Sequence, residues 1–143
     1  MSRNWRISDG TDTLVADVDL VDTAAVTTAL TSVSGFETLN LSGTMGGGDT
    51  VTSADISSDI VRVNISSVTA GAGLTLNMGS SATVGLNVAA AVTAGDTLTI
   101  DASGSGTSDS LTIVNMLTAR DTGSATSDIT TTDFETVTIN TGS

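Results

Sequence analysis

The chain has 143 residues, a net charge of −12 and no Pro, Cys, His, Tyr or Lys. Lacking Cys it has neither disulfides nor thiolate metal sites, and lacking His, Cys, Tyr and Lys it cannot assemble the usual nucleophile–base pairs. Its basic residues are only Arg3, Arg6, Arg62 and Arg120, too few to neutralise a nucleic-acid backbone or to hold an anionic membrane surface.

High charge with few aromatics is one signature of disorder. Against it stands a mean hydropathy of +0.26, with abundant Val, Ile, Leu and Thr, which suit a pleated and half-buried surface. An ordered all-β domain with a core of small aliphatics is expected. The first residues, "MSRNWRISDG", hold no apolar run of a signal peptide. Residues 1–8 read as an N-terminal edge segment in which Trp5, beside Arg3 and Arg6, is a candidate interface anchor. Residues 9–143 read as one repetitive domain, expected to be part of a longer chain that carries its export signal elsewhere. The uncharged stretch 66–95 is broken by Gly, Ser, Thr and Asn throughout, so no membrane insertion is expected.

In chain order, a first rung lies at Leu14. The segment "DVDLVDTAAVTTAL" (17–30) is the one helix candidate, with Asp22 or Thr23 as its cap, and a rung near Val26 overlaps it. Asp17, Asp19 and Asp22 read as a solvated acidic face, with calcium as the alternative. Then come short apolar-x-apolar runs at Leu39, Val51, Val63, Leu74, Leu86, Leu98, Leu111 and Val137. Up to Leu111 they are spaced by 11 to 13 residues; the gap from Leu111 to Val137 holds a degenerate rung near Ser124. Gly, Ser, Asp and Asn fill the turns between them. Alternation is clear in Val61-Arg62-Val63-Asn64-Ile65 and in Leu98-Thr99-Ile100, with Asp101 outward.

Such spacing fits a β-solenoid with two strands per coil of about 24 residues, or an antiparallel β-sandwich. The uniform strands and small inner residues favour the solenoid. Asn64, Asn77, Asn87 and Asn140 recur near strands, where stacked amides can form ladders; Asn is also a common turn residue.

Two stretches nearly copy each other: "GFETLNLSG" (35–43) and "DFETVTINTGS" (133–143). They hold both Phe and both Glu residues of the chain, 98 residues apart. Phe36 and Phe134 read as rung-filling core. Glu37 and Glu135 read as solvated strand residues or as metal or interface partners.

A second motif, small-x-Asp-Thr/Ser-apolar, occurs as "GTDTL" (10–14), "GGDTV" (47–51), "AGDTL" (94–98) and, less closely, "TSDSL" (107–111). Gly permits a tight turn and Asp offers carboxylate oxygens at its edge. Asp9, Asp12, Asp49, Asp96, Asp101 and Asp109 are thus candidate calcium ligands, or ordinary turn residues that hold backbone amides. "MGGGDTVTS" resembles the second half of the repeats-in-toxin nonapeptide. The wider texture, in "GFETLNLSG", "DFETVTINTGS" and "AGDTLTIDASGSG", resembles the repeat regions of bacterial surface-layer proteins and repeats-in-toxin-type adhesins. That resemblance spans about 9–143. It implies type I secretion, calcium-supported folding and self-assembly at the cell surface. Calcium would also relieve the self-repulsion of a compact acidic chain.

The expected function is therefore a structural, self-associating surface domain and not an enzyme, since Asp/Glu chemistry alone remains and no carboxylate pair stands out. A glycan- or surface-binding adhesin module is the alternative, weakened by a single Trp and no Tyr. Ice binding is a further one. Its Thr-x-Thr pairs occur at Thr11/Thr13, Thr50/Thr52, Thr97/Thr99 and Thr136/Thr138, which leaves most rungs without a pair.

Overall fold

A computed structural model describes residues 10–22, 34–66, 74–86, 97–103, 106–115 and 128–141. In chain order these form β1 (Thr13–Asp17), α1 (Val18–Val21), β2 (Thr38–Ser42), β3 (Thr50–Thr52), α2 (Ser53–Ile56), β4 (Arg62–Ile65), β5 (Leu74–Met78), β6 (Ser81–Leu86), β7 (Thr97–Ala102), β8 (Ser110–Asn115), β9 (Asp128–Thr132) and β10 (Thr136–Thr141).

Successive strands from β2 onward go to opposite faces. One sheet has the order β1-β2-β4-β6-β8-β10 and the other β3-β5-β7-β9. Every ladder is parallel. Strands that pair lie one full coil apart in sequence, which an antiparallel sandwich does not allow. The chain is a β-solenoid with two strands per coil.

The period-2 pleat does the sorting. On the six-stranded sheet Leu14, Leu39, Val63, Val84, Ile113 and Ile139 form one inward file. On the four-stranded sheet Val51, Leu76, Ile100 and Thr131 form another. Met45, Ile56, Ile60 and Met78 fill the space between the sheets. Within the stack these side chains are sealed: Leu39, Val51, Val63, Leu76, Val84, Leu98 and Ile100 have no exposed area. Each such Leu or Ile contributes roughly 1.5–3 kcal/mol by burial.

The even 12-residue ruler holds for the first coils and then slips. Thr13 faces Thr38, 25 residues on, and Thr38 faces Arg62, 24 residues on. Arg62 faces Thr83, only 21 on, and Thr83 faces Thr112, 29 on. The ruler places Leu86 level with Val63. In the structure Val84 faces Val63 and Leu86 faces Ile65. A slip of two keeps the inward face inward, whereas a slip of one would turn the core to solvent. Between β8 and β10 the chain contributes β9, at Asp128–Thr132; Ser124, near which a degenerate rung is expected, lies outside the described residues.

The helix expected over 17–30 is a single turn, Val18–Val21, in its described part. Asp17 starts it by accepting the Asp19 N–H at 3.1 Å. Asp22 stands at the C-terminal end of this turn; Thr23 and the stretch that either was expected to cap lie outside the described residues. Val18 and Val21 are buried, so α1 acts as a core-filling bend. A second one-turn helix, α2, follows β3 in the same way and buries Ile56. The rung near Val26, the edge segment 1–8 and Asn87 lie outside the described residues.

Candidate functional site: acidic corners and outward files

The two copied stretches fold into the same corner. The residue before each Phe is in the left-handed region, Gly35 at φ 85° and Asp133 at φ 60°. Gly takes that conformation without strain, and Asp is among the few other residues that tolerate it. The turn then points the Glu back towards the preceding coil.

There each Glu does the same thing. Glu37 Oε2 accepts the Asp12 N–H at 2.8 Å, and Glu135 Oε2 accepts the Asp109 N–H at 2.6 Å. The reciprocal backbone bonds also match. Thr38 N–H donates to Asp12 O at 3.0 Å, and Thr136 N–H donates to Asp109 O at 3.1 Å. A charged acceptor makes such a bond roughly twice as strong as a neutral one. The Glu of one coil thus clips the Asp turn of the coil before it. Phe134 packs against the core and Phe36 is half-buried, in keeping with rung filling.

The other acidic candidates lie apart. Asp49 precedes β3, and its Oδ2 accepts the Gly46 N–H at 2.6 Å. Asp109 precedes β8 and is 5% exposed; its carboxylate lies against Gly106, where an added Cβ would collide with it. Asp101 faces outward from β7, half-buried, with Oδ1 enclosed and without a hydrogen-bond partner. Asp12 sits at the β1 corner, four strands from Asp109 in the same sheet. Asp9, Asp96 and Trp5 lie outside the described residues. Among the described residues no three acidic side chains gather at one point, so the coordination shell of six to eight oxygens that calcium prefers is not built from their carboxylates alone.

Asp59 is an acidic residue that the motifs did not single out. Its Oδ2 accepts the Gly35 N–H from the coil above at 2.9 Å. The signal for it was weak, because "SSDIV" lacks the Gly of the other Asp turns.

The outer faces carry ordered files. On the six-stranded sheet Asn64 Nδ2 donates to Asn40 Oδ1 at 2.6 Å, and Arg62 Nε donates to Asn64 Oδ1 at 3.0 Å. These residues, with Ser66 and Gly85, line a shallow groove of about 380 Å³. Of the expected amide ladder one rung forms, between Asn64 and Asn40, and Asn40 was not among the residues expected in it. It ends at Gly85, where any Cβ would strike the Asn64 carboxamide. On the other sheet Asn77 instead donates to Thr52 Oγ1 at 3.1 Å.

That second sheet holds a file that sequence pairs alone did not reveal. Thr50 faces Thr75, Thr75 faces Thr99 and Thr99 faces Thr130, on all four strands. Beside it run Thr52, Asn77, Asp101 and Thr132. Thr13 and Thr138 lie on the opposite sheet, so the Thr-x-Thr pairs of the sequence do not share one surface.

No family model, curated protein or solved structure matches the chain. The corner geometry and the outer files therefore carry the functional argument.

Proposed function

We propose that this chain is a structural repeat module of a secreted bacterial surface-layer or adhesin-type protein, whose work is to be a stiff, self-associating, acidic coil stack and not to turn over a substrate. The observation that supports this reading is the recurrence of one Phe-Glu-Thr corner on β2 and β10, each Glu clipping the coil before it. Bonds of this kind tie coil to coil along the axis, which suits a load-bearing spacer.

Calcium enters as counter-charge. A stack with net charge −12 repels itself, and divalent ions at the Asp turns, completed by carbonyl and water oxygens, relieve that repulsion. Asp12, Asp49, Asp101 and Asp109 are the described residues offered for this role. The test is thermal unfolding and small-angle scattering in millimolar calcium and in chelator. A rod whose melting temperature rises with calcium supports both parts. A rod indifferent to calcium removes the ion and leaves the scaffold. A compact sphere removes the scaffold.

One observation favours a second reading, a module that binds a regular surface such as ice. The unbroken file Thr50–Thr75–Thr99–Thr130 presents hydroxyl and methyl groups at the strand repeat of about 4.8 Å. Thermal hysteresis that disappears on Thr75→Lys would establish it; no hysteresis at millimolar protein rules out ice as the ligand.

A further inference from the structure

In a chain with 16 carboxylates, the one Arg among the described residues is held by an amide and not by an acid. Arg62 Nε donates to Asn64 Oδ1 at 3.0 Å. Among the described residues no Asp or Glu lines the groove in which Arg62 lies. The groove crosses β2, β4 and β6, which are inner strands of the six-stranded sheet with a neighbour on either side.

A relay of hydrogen bonds fixes its walls. Arg62 gives a proton to Asn64, and Asn64 Nδ2 gives one to Asn40 Oδ1 at 2.6 Å. Asn40, Asn64 and Gly85 are register partners on the three strands. Gly85 is the floor. A Cβ there would overlap the Asn64 carboxamide and lie 3.1 Å from Arg62 Nη2. Because Gly85 has none, the guanidinium and the amide lie close over the sheet. The relay engages both carboxamide oxygens, so what it leaves over is mainly donors: the Nη1–Nη2 edge of Arg62 and the Nδ2 of Asn40. Ser66 Oγ gives its proton to Leu41 O at 2.8 Å and keeps its lone pairs as an acceptor.

A guanidinium edge with two parallel donors matches a carboxylate bidentately. Amide donors and a hydroxyl acceptor beside it match sugar hydroxyls, which both accept and donate. We propose that this groove binds a hexuronate, a sugar ring with a single carboxylate, with the carboxylate on the Nη edge of Arg62 and ring hydroxyls on Asn40 Nδ2 and Ser66 Oγ. Val15, 64% exposed at the groove wall, meets the C–H face of the ring. The volume of about 380 Å³ falls at the lower end of small-molecule sites. The field of a chain at −12 repels polyanions, and it equally opposes a carboxylate brought by a second copy. It thus selects a small ligand with one charge. The site is independent of the scaffold reading and of calcium.

Glucuronate and galacturonate are titrated into isotope-labelled protein, with acetate and glucose as controls, and the side-chain N–H signals of Arg62, Asn40 and Asn64 are followed by NMR. One charge-assisted pair and two neutral bonds set an expected dissociation constant of about 1 mM for at least one uronate. Acetate lacks the hydroxyls and glucose the carboxylate, so each is expected to bind at least about tenfold more weakly. Arg62→Lys keeps the charge but loses the two-donor edge, and Asn40→Ala removes the hydroxyl donor; each is expected to weaken uronate binding about tenfold with the melting temperature retained. No saturable shift up to about 20 mM uronate overturns the proposal. So does acetate or glucose binding as tightly as the uronates, or an affinity unchanged in Arg62→Lys. The calcium melt and the scattering profile remain separate tests of the scaffold.

Discussion

The β2 corner and the β10 corner share a sequence, a left-handed entry residue and a Glu–amide clip, yet they stand in different surroundings. Leu39 and Leu41 are fully sealed by β4, whereas Val137 and Ile139 remain 40% and 65% exposed. The copied residues therefore fix the local turn, and the neighbouring coil decides how much free energy that turn contributes. This is the expected behaviour of a quasi-one-dimensional stack, in which each coil is stabilised by its neighbours.

The largest effect that would break this comparison is a loss of core volume. Leu39→Ala is expected to lower stability by about 2–5 kcal/mol, the range for a sealed Leu that leaves a cavity. Val137→Ala, at the matching position of the open corner, is expected to cost less than about 1 kcal/mol, because much of its area is already in water. Urea unfolding of dilute monomer measures both. Equal losses would show that the β10 end is covered in solution.

The clip itself comes next. Glu37→Ala leaves the half-buried Asp12 N–H without its acceptor, a loss of about 1–3 kcal/mol. Glu135→Ala removes the same bond where the Glu is exposed and water can reach the site, so the cost falls below that of Glu37. Amide exchange separates the two: protection of the Asp12 amide drops with Glu37→Ala alone, and that of Asp109 with Glu135→Ala alone. If both amides respond to either change, the corners are coupled through the whole stack and are not local devices.

Much of this was legible before any coordinates. Apolar spacing placed the rungs at Leu39, Val51, Val63 and Leu98, and all four are inward and sealed. Spacing could not show that the coil from β4 to β6 is short and the next one long, because a two-residue slip leaves every inward residue apolar and so changes nothing in the pattern. Val61 shares the alternation of Val63 and Ile65 yet is 51% exposed, since it belongs to the corner before β4 and gives its N–H to Glu37 O. The two Glu residues were visible as a repeated oddity. Their role was not, because the partner is a backbone amide one coil away, and an amide carries no sequence signature. The Thr file escaped for the same reason: Thr50, Thr75, Thr99 and Thr130 become neighbours only once the strand register is known.

The smallest effects concern the entry residue, where the two corners differ in chemistry. Gly35→Ala forces a Cβ into a left-handed turn and is expected to cost about 1–2 kcal/mol. At the matching position Asp133 already carries a side chain at φ 60°. Asp133→Gly relieves that strain but adds backbone freedom to the unfolded chain, of roughly 0.5–1 kcal/mol. The two terms oppose and are similar in size, so the melting temperature is expected to stay nearly unchanged. A clear rise would mean that the Asp133 side chain contributes nothing beyond tolerating the turn. A clear fall would mean that its carboxylate holds the β10 corner together, as Asp59 holds the β2 corner from the coil below, and the open corner would then have a clasp of its own.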